Sequence, residues 1–173
     1  GSTNKDHVQN FPVMKLVLAC RNMSRTKTGA LIVIERETLL NDIVETGTIV
    51  DSAVSEQLIG NIFYEGSPLH DGALIVRGDR LYAAGCVLPL TQNKELNKEL
   101  GTRHRAGIGM SENSDAVVVI VSEESGSISV AVGGMLKRHL KPETLENLLR
   151  NELLPQDELE EDKQKFNLNG VLK

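Results

Sequence analysis

Residues 116–122 read AVVVIVS, five β-branched residues in succession with no charge between Asp115 and Glu123. A run this short fits a strand better than a helix, and its two alternating faces are equally apolar, so it predicts a strand near the centre of a sheet covered on both sides. Downstream, Ile128–Val132 and Met135–Leu140 flank Gly133-Gly134 and predict a hairpin. Pro142 suits the first turn of a closing helix whose stripe is Leu145, Leu148, Leu149 and Leu153. Upstream, Ala73–Arg77 and Leu81–Leu88 meet at Gly78-Asp79 as a second hairpin closed by Pro89, and Gly29–Glu35 (GALIVIE) is a further buried strand. Helices are predicted over 5–24, with Val8, Phe11, Met14, Leu18 and Met23 on one face and Pro12 in a first turn or at a kink. A short helix is expected over Leu39–Glu45, stopping near Gly47. Another begins at Ser52, with Val54, Leu58, Ile59, Ile62 and Phe63 on its buried face. The polar stretch 91–100 predicts a surface loop or a short exposed helix. Helices mix with hairpins and no repeat appears, so the expected class is α/β, a mixed central β-sheet flanked by helices on both faces.

The chain of 173 residues, 40% hydrophobic, is large enough for one self-sufficient core. Its net charge of -5 and pI of about 5.4 oppose a long polyanion, so no nucleic-acid partner is expected, and any anionic ligand must be small and held by a local basic cluster. Cys20 and Cys86 lie among apolar residues, far from any metal-ligand spacing, and read as buried free thiols of a reducing compartment. No apolar run approaches the roughly 18 residues of a membrane span, and no signal-peptide pattern opens the chain. Gly1-Ser2 reads as the remnant of a cleaved tag, and the acidic stretch after Pro155 as a mobile extension.

Three segments place polar groups where packing would want none. His70-Asp71-Gly72 leads straight into the strand beginning at Ala73; a carboxylate beside an imidazole can hold a divalent cation, Mn²⁺ or Mg²⁺, and glycine permits close backbone approach. An ordinary Asp-Gly turn is the plain alternative. Thr102-Arg103-His104-Arg105 concentrates two guanidinium groups and an imidazole in an otherwise acidic chain. With Thr102 as N-cap, the free N–H groups of a helix's first turn would add an anion site beside them. Residues two apart on a helix do not share a face, so one arginine is left to bind nucleotide while the other braces the fold or reaches a neighbouring subunit. A solvated basic turn is the alternative. Ser122-Glu123-Glu124 ends the central strand with a hydroxyl for phosphate and carboxylates for ribose or metal, or else is a plain polar strand exit. Together the three favour a nucleotide phosphate site; GxSxG, Walker A and HExxH patterns do not occur.

Asp71-Gly72-Ala73 and Arg103-His104-Arg105, in this order and within the flanks GALIVIERE (29–37), PLHDGALIV (68–76), ELGTRHRAGIGMSE (99–112) and VSEESGSISV (121–130), resemble the two signatures of the diadenylate cyclase family. The likeness covers roughly residues 25–150 and is similar in particular to the membrane-anchored cyclases of Gram-positive bacteria. It implies the DAC-domain fold and divides the chain into a tag remnant and leading helix (1–24), a catalytic domain (25–154) and an acidic flexible tail (155–173). The implied reaction condenses two ATP into cyclic di-AMP with release of two pyrophosphates. Because one site holds one ATP, a face-to-face homodimer, permanent or transient, is implied.

By the same resemblance, Asp71 is essential and binds the divalent metal with His70. Gly72 and Ala73 lie against the nucleotide, Leu88 meets adenine through its backbone, Thr102, Arg103, His104 and Arg105 form the phosphate segment, and Ser122 and Glu123 complete the nucleotide contacts. An aspartate's ordinary pKa of about 3.9 makes a poor acceptor for a hydroxyl proton, which favours the metal-ligand role over general base. The resemblance also implies a cytoplasmic domain of a cell-membrane protein with regulatory protein partners. Two positions depart from the pattern. Val87 stands where close relatives often carry an aromatic, and Gly107 replaces the usual alanine, which in a helix costs about 0.5–1 kcal/mol. A sensor that binds nucleotide without turnover, and an interaction domain using the acidic tail, are the rival classes.

Overall fold

The computed structural model describes residues 11–154 together with 164 and 165. The first residues of the expected leading helix and nearly all of the acidic tail lie outside the described residues. In chain order the elements are α1 (Val13–Thr26), β1 (Ala30–Ile34), α2 (Asn41–Val44), β2 (Thr48–Ala53), α3 (Glu56–Phe63), β3 (Ala73–Arg77), β4 (Arg80–Cys86), α4 (Thr102–Asn113), β5 (Val117–Val121), β6 (Ile128–Val132), β7 (Met135–Leu140) and α5 (Pro142–Leu153). The strands form one sheet in the order β2-β4-β3-β1-β5-β6-β7. Only β1 and β3 pair in parallel; every other neighbouring pair is antiparallel. The mixed sheet with helices on both faces is therefore the observed architecture.

The double-sided apolar runs produce two cores. Along β1 the alternation sends Ala30, Ile32 and Ile34 to one face, where Leu16, Ile59, Phe63, Leu145 and Leu149 of α1, α3 and α5 pack on them. Leu31 and Val33 go to the other, against Ile108 and Met110 of α4 and Val44 of α2. Each fully buried aliphatic side chain of this kind contributes about 1.5–3 kcal/mol. Cys20 and Cys86 are buried free thiols, as expected, and burial pushes them up to about 12 and about 11 respectively, which keeps them unreactive.

Several elements differ from the expectation. Pro12 precedes α1 rather than kinking it, and the helix buries Val13, Leu16, Val17, Cys20 and Met23, leaving Met14 43% exposed. The residues from Thr48 to Ala53 form the edge strand β2, not a helix start. Ser55, not Ser52, caps α3, its hydroxyl accepting from the Leu58 N–H at 3.2 Å. The second strand of the first hairpin stops at Cys86, two residues short of Leu88. The stretch 91–100 is the expected surface loop and not the alternative short helix. Gly107 lies in an intact α4, where a methyl group would meet Ile120 Cδ1 at 2.8 Å, so close packing on β5 accounts for the missing alanine.

Glu35, read from sequence as the end of an apolar run, is fully buried just past β1. It accepts from Arg77 Nε at 2.6 Å, Arg77 Nη2 at 3.1 Å and the Leu40 N–H at 2.5 Å. Arg77 also stacks 4.2 Å over the Tyr82 ring and donates to Asn41 Oδ1 at 3.0 Å. Glu35→Ala leaves a largely covered guanidinium unpaired and is expected to cost about 2–3 kcal/mol in urea unfolding. A loss under half of that would show the pair to be dispensable.

Candidate functional site

Strand register brings the three polar segments to one end of the sheet. Ala30 of β1 pairs with Val121 of β5, and Ile32 pairs in parallel with Leu74 of β3. Continuing each ladder to its end sets Gly29 between Asp71 on one side and Ser122 on the other. Ala73 pairs with Cys86, so Val87 and Leu88 leave β4 beside Asp71-Gly72. The row is thus made from the amino ends of β1 and β3 and the carboxyl ends of β4 and β5, as a mixed sheet permits.

At the first segment, the His70 Nδ1 lies 2.7 Å from the Ser67 carbonyl oxygen, which can only accept. In the neutral imidazole this fixes the proton on Nδ1 and leaves the Nε2 lone pair facing Asp71 Oδ1 at 3.2 Å. Two lone-pair atoms so placed call for a cation or a proton between them. Among the described residues no group of three or more His, Cys, Asp or Glu side chains could hold a metal, and the Asp71 side chain is 83% exposed. The pair therefore fits a cation that draws its remaining oxygen ligands from a phosphate and water, as Mg²⁺ does, better than one caged by protein. Gly72 sits against backbone instead of an open face: a Cβ there would lie 2.6 Å from the Gly85 carbonyl carbon. The Ala73 side chain is buried in the core, so this residue can meet a ligand only through its main chain.

At the second segment α4 starts one residue earlier than expected. Gly101 is its N-cap, Thr102 is its first helical residue, and no side chain caps it. Its first-turn N–H groups have no acceptor within the helix and no side-chain cap, an arrangement suited to an anion. Arg103 folds back over the end of β1, and a methyl group on Gly29 would lie 2.5 Å from its Cζ. Arg103 Nη1 pairs with Glu123 Oε2 at 3.3 Å, joining the second segment to the third. His104 turns inward and is only 7% exposed. Burial, then the charges of Arg138 and Arg103, push its pKa below 6.5 against the smaller pull of Glu124, so the imidazole is neutral at physiological pH. Arg105 is half-buried, and its carbonyl accepts from the Thr91 N–H at 3.1 Å.

The His104 shift carries a sign. Below pH 6.5 the unfolded chain binds a proton that the native state refuses, so this residue's contribution is lost as pH falls from 6.5 through the folded pKa. His104→Asn should therefore lose less stability than wild type between pH 7 and about 5.5, read from urea midpoints. Equal losses in both proteins would contradict this.

At the third segment the Ser122 hydroxyl accepts from the Glu124 N–H at 3.2 Å and the Ser125 N–H at 3.3 Å, leaving its own proton for a ligand. Ser24 at the end of α1 donates to the Gly126 carbonyl at 2.6 Å and pins this loop. The Leu88 side chain is buried at 7% exposure, whereas Val87 is 65% exposed. Residues that sequence reasoning passed over are Gly29, which seats Arg103, and Arg138 of β7, whose charge reaches His104. A glycine directly before an apolar strand was the available sign of the first.

A family model described as DAC, the DisA bacterial checkpoint controller nucleotide-binding domain, matches residues 17–136. Cyclic di-AMP synthase CdaA of Bacillus subtilis (strain 168) is 43% identical over 152 residues, 88% of this chain and 56% of that protein. A diadenylate cyclase of Listeria monocytogenes serotype 1/2a (strain 10403S) is 45% identical over 146 residues, 84% of this chain and 54% of its own length. The chain thus spans about half the length of the curated relatives it matches. A crystal structure of a double mutant of DacA from Staphylococcus aureus superposes with a TM-score of 0.81 at 45% identity, covering 83% of this chain and 95% of that one. Matched along most of its length by model, sequence and structure alike, the chain belongs to the DAC family of nucleotide-binding domains.

Proposed function

We propose that this chain is the catalytic domain of a diadenylate cyclase that condenses two ATP into cyclic di-3′,5′-AMP and releases two pyrophosphates. The observation that carries the reading is the single row formed by Asp71-Gly72, Gly29 under Arg103, and Ser122-Glu123, beside the uncapped start of α4. The matched relatives bear the names cyclic di-AMP synthase and diadenylate cyclase.

In this reading Thr102, Arg103 and the first-turn N–H groups of α4 take the triphosphate, with Arg105 on a neighbouring face, and the Ser122 hydroxyl donates to a phosphate oxygen. Phosphate oxygens draw Arg103 away from Glu123. Neutral His104 holds the first turn of α4 in place from beneath. Gly72 and Ala73 contact the nucleotide through the main chain, and the Leu88 backbone meets adenine. His70 Nε2 and Asp71 Oδ1 would hold a divalent cation, Mn²⁺ or Mg²⁺, which supplies charge neutralisation at the reacting phosphate. Each ribose 3′-oxygen forms a bond to the α-phosphorus of the opposite ATP. The bond from that phosphorus to pyrophosphate breaks, and the hydroxyl proton leaves to solvent. Both links require two nucleotides face to face, so the working unit is a two-fold pair of chains, each positioning one ATP.

No helix among the described residues is long and apolar enough to cross a membrane. A structural neighbour at 44% identity and a TM-score of 0.70 is described as a hypothetical membrane-spanning protein from Bacillus cereus, and the curated relatives extend well beyond this domain. Both support a membrane-anchored parent protein; this domain would then face the cytoplasm, where ATP is supplied and regulatory proteins can reach it.

The deciding experiment incubates the chain with ATP and Mn²⁺ and looks for cyclic di-AMP by chromatography. Product should appear, and the rate should fall more steeply than in proportion on dilution. ATP binding without product would make the domain a nucleotide sensor.

A further inference from the structure

Resting on the function proposed above, we propose that Thr46 is a positioning residue for the base-reading backbone at Val87–Leu88 and sets the preference for adenine over guanine. Thr46 belongs to the turn between α2 and β2, distant in sequence from every segment of the site. Its hydroxyl donates to the Ile43 carbonyl at 2.6 Å and accepts from the Val87 N–H at 2.8 Å.

Close packing makes this bond the last of several constraints on one stretch of main chain. Beside Thr46, Gly47 lies so near β4 that a Cβ would sit 2.5 Å from Cys86 Sγ and also overlap the Ala84 carbonyl. On the opposite side of β4, Gly72 meets the Gly85–Cys86 backbone. Further along, Gly109 of α4 meets the Pro89–Thr91 backbone, where a Cβ would lie 2.7 Å from Thr91 N, and the Thr91 N–H bonds to the Arg105 carbonyl. The main chain from Cys86 to Thr91 is thus clamped between the α2–β2 turn and the helix that carries Arg103. Exposed Val87 and Leu90 give it an apolar surface at the edge of the site, as a flat base requires.

The Val87 N–H is engaged by Thr46 and Pro89 has none, so of these three residues Leu88 is the one whose N–H can face a ligand. Adenine presents an amino donor at the position where guanine presents a carbonyl acceptor. A main-chain N–H and C=O distinguish the two only when held to within about 0.5 Å, since a freely shifting strand exit could re-pair with either. Thr46 supplies that restraint at the residue before the reading position.

The test compares wild type, Thr46→Val and Thr46→Ser with ATP and Mn²⁺, measuring KM, kcat and the GTP concentration that halves the rate. Thr46→Val keeps shape and removes the hydroxyl. Its KM for ATP should rise by about fivefold with kcat little changed, and GTP should inhibit at a lower multiple of the ATP concentration. Thr46→Ser keeps the hydroxyl and should behave as wild type. Unchanged KM and GTP sensitivity in Thr46→Val, or a Thr46→Ser that matches Thr46→Val, overturns the inference while leaving the cyclase reading intact. A wild-type chain that forms no cyclic di-AMP overturns both.

Discussion

Asp71→Asn is expected to abolish cyclic di-AMP formation, lowering kcat/KM by on the order of 10³-fold or more, while the melting temperature stays at the wild-type value. The two halves of this expectation have separate causes. With its side chain 83% exposed, and only His70 within ion-pair distance among the described residues, Asp71 contributes little to the folded state. Exchanging a carboxylate for an amide of the same shape there belongs with surface substitutions, within about 0.5 kcal/mol. What the amide cannot do is supply a charged oxygen opposite the His70 Nε2 lone pair, and the described residues offer no third protein ligand nearby to take over. A cation that already depends on phosphate and water for most of its ligands then loses its one anionic tether to the protein. Chromatography of product together with a thermal melt reads both halves. Normal turnover would remove Asp71 from the reaction, and a collapsed melt would make it structural.

The elements legible in the sequence were those whose burial is two-sided or whose turns are glycine-marked. Val117–Val121 is apolar on both faces because both cores press on it, and Gly78-Asp79 and Gly133-Gly134 mark hairpins that the structure contains. β2 escaped because an edge strand owes nothing to two-sided burial. Its residues alternate between exposed and half-covered, and Asp51 within it takes a left-handed φ of 48°, so no hydrophobic run announces it. The site divides in the same way. Asp71, Arg103 and Ser122 could be found as polar residues in the wrong company. Thr46 and Gly109 could not, and Gly29 showed only as a glycine before an apolar strand, because each acts on a segment at a sequence separation that only the fold closes. Leu88 is the intermediate case: its side chain is ordinary core, and any reading of a base must come from its main chain.

Arg103→Ala should lower kcat/KM by roughly 10²–10³-fold, the usual loss for a donor that meets developing charge on a phosphoryl group. That result alone would not separate phosphate binding from a structural tie between α4 and the 122–126 loop, because the same guanidinium pairs with Glu123. Gly29→Ala separates them. The Gly29 backbone has no left-handed φ, so alanine is allowed there, and the new methyl would meet the guanidinium of Arg103 at 2.5–2.9 Å. The far end of a flexible side chain can move aside at little cost, so stability should be nearly untouched. The displaced guanidinium, however, no longer sits over the row between Asp71 and Ser122, and a shift of about 1 Å in such a group costs on the order of tenfold or more in rate. Glu123→Gln completes the comparison. If Arg103 matters only as the partner of Glu123, then Arg103→Ala and Glu123→Gln should lose activity alike, and Gly29→Ala, which disturbs the same Nη1, should lower the melting temperature with them. If Arg103 is the phosphate ligand, Gly29→Ala must impair turnover in a protein that melts like wild type, and a fully active Gly29→Ala would refute that role.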